Sequence, residues 1–326
     1  MSSVTVLSAA IVLGAALATG SAPAVAQEYP NKPIRIIIPW GSGQSPDVIM
    51  RSVGQGISKR LGQPVVMENK PGATGAIGAD YVATSAPDGY TLLNLATAYL
   101  IGRALRGESF EAPKDLAPIS MVTNSLTLLS VSANVMKGVR TLNDFIAFAK
   151  ANPNVVINYG SSGVGSSTHL AMALIASKFN LNSTHVPYKS GGPMISDYIG
   201  GRLVAMVTDY TPLAQHIKNG VVVPIMVLQP QRTPLLPDLP TVRELGYPDV
   251  EVIISHGLAA PAGTPAHIVE KLAAAVKDSL SDPEVMTPLG ATGNRIVYMA
   301  PAQYTESLNG AYTKWKKFIQ DNNIKP

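Results

Sequence analysis

The 326-residue chain contains no cysteine. That absence excludes disulfides, thiolate metal ligands and a cysteine nucleophile, so stability has to come from an ordinary apolar core. Charge is sparse as well: 14% of the residues are charged, the formal net charge is +4, and the lysines and arginines are scattered rather than gathered into a stripe. Aromatics make up only 6%. Neither a groove that tracks phosphates nor a platform that stacks bases can be assembled from this composition, which argues against a nucleic-acid partner. The five histidines, His169, His185, His216, His256 and His267, stand at no metal-binding spacing such as H-x-x-x-H or H-x-x-E-H. There is no phosphate-loop pattern G-x-x-x-x-G-K-S/T and no tandem repeat of the solenoid kind.

What is present is a globular composition, 46% hydrophobic, long enough for two domains. The start differs from the rest. Val4 to Ala18 is an almost unbroken apolar stretch, too short to span a membrane, and small residues follow it up to Ala24-Val25-Ala26 before Gln27. This reads as a secretory signal peptide, residues 1–26, cleaved after Ala26. No Lys or Arg precedes the stretch, so the usual positive n-region is lacking and an upstream start codon stays open. Export places the mature chain outside the cytoplasm.

From Gln27 onward, β-rich runs alternate with helical segments. "IRIIIPW" is a strand by its β-branched run, and "SPDVIMRSVGQGISKRLG" has Ser to cap a helix, Pro at its first position and Gly beyond its end. "PVVMENKP", "TLLNLAT", "VVINYGSSGVG", "STHVPYK", "LVAMVTDY" and "VVVPIMVL" continue the pattern. Near the end, Ile268, Leu272, Val276 and Leu280 form one helical stripe, with Thr264 placed to cap and Pro265 at the first position. Tyr304, Leu308, Tyr312, Trp315 and Ile319 form another from Pro301 to about Asp321. Strand-helix-strand alternation indicates α/β sheets flanked by helices. Two extended stretches, "APISMVTNSLTLLSVSANV" and "LPTVRELGYPDVEVIISHGLAAPAGTP", are suited to carry the chain between two lobes, which would make the first discontinuous.

The chemistry concentrates in loops. "YGSSGVGSSTHLA" (159–171) packs serines and glycines ahead of an apolar run. The nucleophile-elbow pattern G-x-S-x-G fails there by one residue, since Gly160-Ser161-Ser162-Gly163-Val164 puts Gly early. His169 falls in the first turn of the following helix, where a local structural role outweighs ligand contact and catalysis. "GATGAIGAD" (72–80) has the glycine spacing of a dinucleotide turn, but it follows the second strand with "ENKP" between, and it reads better as a tight start to a helix. What remains at 159–171 is a row of N–H groups and hydroxyls at a helix N-terminus, a site for an anion such as a carboxylate. "PWGSGQSPD", "YKSGGP" with Tyr188, and "TDYTP" repeat the device. If the strands are parallel, all these loops lie at their carboxyl ends, where open α/β sheets bind ligands. No cofactor and no catalytic group is called for.

Motifs along the whole mature chain carry a family likeness. "YPNKPIRIIIPW", "RLGQPVVMENKPGATGAIGADYVATSAPDGYTLL", "INYGSSGVGSSTHLAMAL", "HVPYKSGGPMISDYIGGRLVAMVTDYTPLAQHIKNG", "RTPLLPDLPTVRELGYP" and "GLAAPAGTP" resemble the Bug-type solute-binding proteins of tripartite tricarboxylate transporters. "PDGYTLL", "VPYKSGGP" and "LPTV" are the most specific. The resemblance implies an α/β fold, a two-lobed periplasmic binding protein of Venus-flytrap, type II-like form, each lobe a mixed, mostly parallel sheet flanked by helices. It places lobe 1 at residues 27–123 plus 251–326 and lobe 2 at 124–250. A carboxylate would sit between the lobes and pass to two membrane subunits, with the receptor itself a monomer; a ligand sensor presenting its bound form to a membrane signalling partner is the alternative.

By the same resemblance, the loop Trp40, Gly41, Ser42, Gly43, Gln44 to Asp47 and the loop Ser161, Ser162, Gly163, Ser166, Ser167 to His169 hold one ligand carboxylate, largely by backbone and through water. Thr97 and Asp209 line the same cleft. The chain departs from the family's pattern at Trp40–Gln44, at Arg103 and at His256, where an aromatic is common. These departures make Trp40 a candidate stacking wall for an aromatic acid, and His256 or Arg103 a candidate partner for a second carboxylate.

Overall fold

The strand Ile34–Ile38 lacks apolar–polar alternation because helices cover both of its faces: Ile34, Ile36, Ile37 and Ile38 are all fully buried. The computed structural model in which this is seen describes residues 28–43, 45–188, 191–291 and 293–325. The signal-peptide reading and Gln44 therefore lie outside the described residues.

From this strand, β1, the chain runs through α1 (Ser45–Leu61), β2 (Val65–Asn69), a 3-10 turn at Ala73–Gly75, α2 (Ala76–Ala83), β3 (Thr91–Ala96), α3 (Thr97–Leu105) and β4 (Leu116–Asn124). It then enters a second sheet through β5 (Thr127–Ser132), α4 (Leu142–Ala151), β6 (Ile157–Ser161), α5 (Ser167–Phe179), β7 (Ser183–Pro187), α6 (Gly191–Ile199), β8 (Ala205–Asp209), α7 (Ala214–Lys218) and β9 (Val222–Val227). It returns as β10 (Ser255–Pro261), α8 (Ala266–Ser279), α9 (Pro283–Ala291), β11 (Arg295–Met299) and α10 (Pro301–Asp321).

Two mixed sheets result, of order β11-β4-β10-β3-β1-β2 and β7-β6-β8-β5-β9. Within them β1 lies parallel between β2 and β3, and β6 parallel between β7 and β8, while β10 and β5 run against both of their neighbours. Only Ser125 and Leu126 separate β4 in the first sheet from β5 in the second. The returning chain lies alongside this crossing: the Ser125 N–H donates to the Ile254 carbonyl at 2.8 Å, and the Val252 N–H donates to the Leu228 carbonyl at 3.0 Å. A chain that comes back beside the point where β4 left the sheet can only run opposite to β4. This is why β10 is antiparallel to both β3 and β4.

The last helix closes the structure behind the crossing. Tyr304, Leu308, Tyr312, Trp315 and Ile319 are buried, as their spacing predicts, in a core cluster that also holds Leu95 and Met121 of the first sheet and Leu129 and Val207 of the second. A second cluster fills the other face of the first sheet, where Ile49, Met50 and Val53 of α1 meet Leu272 and Val276 of α8.

Some local expectations shift. Helix α1 starts at Ser45 itself, with Gly62 (φ 68°) ending it in the left-handed conformation. Pro265, not Thr264, is the residue before α8, because the Thr264 hydroxyl is turned to the Pro261 carbonyl at 2.8 Å. Gly72 and Gly75, both at positive φ, form the 3-10 start of α2, in line with a tight helix start rather than a dinucleotide turn. "TDYTP" is followed only by a 3-10 turn, Thr211–Leu213, and the five-residue α7, so it presents no long helix N-terminus. The sequence reading did not mark α4, α9 or β11. Helix α9, with Pro288 inside it, is a poor helix by composition and is held by burying Val285 and Leu289 in the α1–α8 cluster.

Gly257 in β10 sits where no side chain fits: an added Cβ would lie 2.5 Å from the Ser120 carbonyl oxygen and 2.5 Å from the Tyr304 hydroxyl. Gly257→Ala is expected to destabilise the protein by roughly 1–3 kcal/mol in urea unfolding; an unchanged midpoint would show that β10 can slide away from α10.

Candidate ligand-binding cleft

Strand direction fixes where the candidate residues lie. β1, β3 and β4 end at one edge of the first sheet, where β10 begins; β6, β7 and β8 end at one edge of the second, where β5 begins. The crossing of two residues joins these edges directly, so they face one another. Trp40, Thr97 and His256 stand at the first edge, and Ser161, Tyr188 and Asp209 at the second. Two of them flank the crossing closely: His256 pairs with Thr123, one residue before the end of β4, and Asp209 pairs with Thr127, the first residue of β5.

In the first-edge loop, Asp47 points inward. Its Oδ2 accepts from the Gly43 N–H at 2.9 Å, the Ser42 hydroxyl at 3.5 Å and Arg51 Nε at 2.9 Å, and its Oδ1 accepts from Asn69 at 3.0 Å. The same Asn69 amide donates to the Trp40 carbonyl at 2.9 Å. Burial would raise this carboxyl's pKa, but the hydrogen bonds from Arg51, Gly43 and Asn69 outweigh it and hold it at about 2. Asp47 is thus an ionised anchor that shapes the loop, with its own acceptors already engaged, and Gly41, Ser42 and Gly43 are what the loop presents.

The second-edge loop is organised by serines and two histidines. Ser166 caps α5 by accepting from the His169 N–H at 3.2 Å, and His169 Nδ1 accepts from the Gly165 N–H at 3.2 Å. The amides of Ser167 and Thr168 fall in the first turn of α5, where no intrahelical acceptor exists. Ser167 Oγ is buried without a partner in the protein, whereas Ser162 is exposed beside Gly163. The Ser161 hydroxyl is 2.7 Å from His185 Nε2 and 2.9 Å from the Gly163 carbonyl, to which it can donate. His185 in turn stacks on His169 with ring centroids 3.8 Å apart.

Burial lowers the pKa of both rings, that of His169 to about 4 with help from His185's charge, so the stack is neutral at physiological pH. Ser161 with His185 has the spacing of a nucleophile and base, but Ser161 is fully buried and no carboxylate in the hydrogen-bond network of the described residues orients His185. The sequence reading missed His185, whose position inside "STHVPYK" carries no local signal.

The remaining candidates divide. The Thr97 hydroxyl is spent within the protein, accepting from the Ser255 N–H at 3.1 Å and facing the Ile253 carbonyl at 3.3 Å, so Thr97 ties α3 to the returning chain. The Tyr188 hydroxyl donates to Asp197 at 2.7 Å. Arg103 is bound to the Tyr99 hydroxyl at 3.2 Å, Glu108 at 3.5 Å and Asp115 at 3.8 Å, so its charge is compensated by its own neighbours. Asp209 is half-buried, yet its Oδ1 is enclosed without a partner, and burial raises its pKa to about 6 against the pull of the Thr127 hydroxyl. His256 is buried, its Nδ1 has no partner, and its ring meets Trp40 edge-to-face at 5.8 Å; burial lowers its pKa to about 4. Among the described residues no group of three or more potential metal ligands exists.

The profile of the tripartite tricarboxylate transporter receptor family matches residues 49–324. The periplasmic binding protein BugD is similar in structure, with a TM-score of 0.77 and 28% identity over 91% of this chain and 99% of BugD. MatC from Rhodopseudomonas palustris, solved with bound malate, gives a TM-score of 0.75 and 28% identity over 89% of this chain and all of the MatC chain (100%). An R. palustris protein solved with adipate gives 0.79 and 28% over 91% of this chain and 99% of the other. These likenesses agree with the two-lobed, Venus-flytrap form.

Asp47→Ala should cost roughly 2–3 kcal/mol in urea unfolding at pH 7, because charged hydrogen bonds are lost. As the folded pKa is depressed, this contribution is complete above about pH 4 and fades as pH falls toward 2; a gap between wild type and variant that stays constant down to pH 2 would rule out Asp47 as the ionised anchor. For His169 the unfolded state binds the proton more readily, so stability should fall as pH drops from about 6.5 to 4. His169→Phe should reduce that slope by up to roughly 1.4 kcal/mol per pH unit. Asp209, with its pKa raised, acts in the opposite sense, losing stability as pH rises through 6.

Proposed function

The chain belongs to the tripartite tricarboxylate transporter receptor family, and on that footing we propose that it captures a small organic carboxylate between its two lobes and delivers it to the membrane subunits of such a transporter. The observation that carries this reading is the loop at 161–169: unpaired first-turn amides of a 13-residue helix, an unpartnered buried Ser167 hydroxyl and neutral histidines behind them. Amides and hydroxyls at a helix N-terminus stabilise a carboxylate without a dedicated arginine. The malate and adipate bound to the two R. palustris proteins support an organic acid as the ligand class. Asp209 narrows the choice, because an ionised carboxylate at the cleft floor repels any ligand carboxylate placed against it and favours a hydrogen-bond donor there.

We also read the mature protein as exported to the periplasm after cleavage at Ala26, with residues 27–123 and 251–326 forming one lobe and 124–250 the other. It would work as a monomer with two membrane partners. No cofactor and no chemical step are assigned to it. Trp40, Ser42, Gly43, Ser162, Gly163, Ser166, Ser167, Asp209 and His256 form the cleft surface in this reading, while Asp47, Thr97, Ser161, His169 and Tyr188 position it.

A thermal-shift panel of aliphatic, aromatic, hydroxy and amino acids on the mature protein tests the reading. A ligand at a hundred times its dissociation constant adds about 2.7 kcal/mol to the folded state, a rise of a few degrees for a chain of this size. Binding of an acid that is weakened at least tenfold by Ser167→Pro, which removes a first-turn amide, supports the site. Binding of acids undisturbed by that change, or shifts produced only by uncharged compounds, would refute it.

A further inference from the structure

Two buried polar atoms on the first edge of the cleft have no partner in the protein. One is Nδ1 of His256, a residue only 5% exposed, and the other is Oγ1 of the fully buried Thr123. These residues are paired across the antiparallel β10–β4 ladder, next to a register shift that leaves Val122 unpaired with β10. Thr123 also pairs with Ile296 of β11, which packs in the α1–α8 cluster, so both side chains leave the same face of the sheet. Directly opposed Cβ atoms lie about 4.5–5.5 Å apart, and a single oxygen placed between the two side chains can hydrogen-bond to both. Alternation along β10 sets His256 on the face of Leu258 and Ala260, which pack in the α1–α8 cluster together with Trp40. The Trp40 indole against the His256 ring forms the outer wall of this corner.

The charge around the corner decides what kind of oxygen suits it. Lys70, at the end of β2, is bound to Glu68 at 2.6 Å. Arg51 is held by Asp47 at 2.9 Å, and Arg103 by Glu108 and Asp115. These three cations are therefore compensated inside the protein. Arg295, which pairs with Asn124, alternates to the opposite face of the sheet from Ile296 and Thr123, and burial keeps the His256 ring neutral. A second carboxylate placed here would lose its hydration without meeting a countercharge. A neutral imidazole and a hydroxyl, each able to donate one hydrogen bond, match an uncharged oxygen instead.

We propose that His256 and Thr123 form a subsite for an uncharged oxygen substituent on the ligand, so that the receptor selects hydroxy- or oxo-substituted carboxylic acids over their unsubstituted parents. The proposal rests on the carboxylate-receptor reading and specifies the substrate class of that same cleft. It replaces the second carboxylate anticipated for His256 with a hydroxyl or keto group. His256 and Thr123 act on the ligand directly, while Trp40 positions the imidazole.

The test is isothermal titration with matched acids that differ by one oxygen: succinate against malate and oxaloacetate, 3-phenylpropanoate against its 2- and 3-hydroxy derivatives. It is run on the mature wild type, His256→Phe and Thr123→Val. Phe keeps an aromatic ring against Trp40, and Val is close to isosteric with Thr; thermal melts identify any variant that fails to fold, leaving the other to decide. The wild type should bind at least one oxygenated member about tenfold tighter than its parent, the worth of one to two neutral hydrogen bonds. Each folded variant should bring the pair to within about twofold, by weakening the oxygenated acid more than its parent. Equal binding of every pair by the wild type, as when water fills the corner, would overturn the proposal, as would a preference that survives both substitutions. Failure of all acids to bind would instead remove the receptor reading itself, and this inference with it.

Discussion

The structure depends on one short covalent constraint: two sheets are joined by the dipeptide Ser125-Leu126, with the returning chain hydrogen-bonded beside it. With so little chain to spend, the strand edge at which β4 ends must face the edge at which β5 begins. Every loop at those edges is thereby directed into one cleft. Conformational change is channelled as well, since a relative motion of the sheets has to be absorbed near residues 125–126 and 252–254. The Thr97 hydroxyl, facing both the Ser255 N–H and the Ile253 carbonyl, makes the start of α3 report on that segment. Helix α10 also buries Trp315 and Tyr312 in a core shared by both sheets, which ties the two sheets together there.

In the first-edge loop of the cleft, the charges are arranged to shape backbone rather than to meet a ligand. Asp47 is the clearest case. An ionised carboxylate that accepts from an amide of its own loop fixes Gly43 and Ser42 relative to α1, and Arg51 and Asn69 keep it ionised. The second loop achieves comparable order with neutral groups: Ser166 caps α5, His169 receives the Gly165 amide, and His185 supports Ser161. Because donors on both sides are fixed before a ligand arrives, little ordering entropy remains to oppose binding. Neutral donors also place little demand on salt or counterions, so affinity here should depend on geometry more than on ionic strength.

Much of this was legible in the sequence because loops after strands carry their own signals. Ser166 before α5 and the α10 stripe from Tyr304 to Ile319 match what spacing and capping rules predict, and Gly72 and Gly75 mark the sharp start of α2 as expected. Strand direction was not legible, since an antiparallel β10 has the same local pattern as a parallel one and is imposed only by the path of the returning chain. The role of Asp47 was not legible either: sequence places it in the loop, but only the positions of Asn69 and Arg51, brought in by β2 and one helical turn, show that its oxygens are already taken. His185 was missed for the same reason, as its partners come from β6 and α5 and not from its own strand. The sequence makes Arg103 a candidate partner for a second carboxylate, yet Glu108 and Asp115, beyond the end of its helix, neutralise it.

The distribution of unpartnered polar atoms links specificity to the hinge. Of the nine buried side-chain polar atoms without a hydrogen-bond partner among the described residues, five belong to Thr123, Asn124, Ser125, Asp209 and His256, all at the crossing or paired directly across from it. A buried donor or acceptor left unpaired costs roughly 1–3 kcal/mol, so a cluster of this size is unfavourable for the fold taken alone. It becomes favourable when a molecule enters whose own polar groups meet those atoms, and that molecule must reach the strip of chain that joins the sheets. A ligand that satisfies only the loop at 161–169 would be held by one lobe, whereas one that also meets His256 and Asp209 would engage both sides of the crossing at once. Discrimination among acids and stabilisation of the closed arrangement would then arise from the same few hydrogen bonds, and an acid lacking the right oxygen would lose both together.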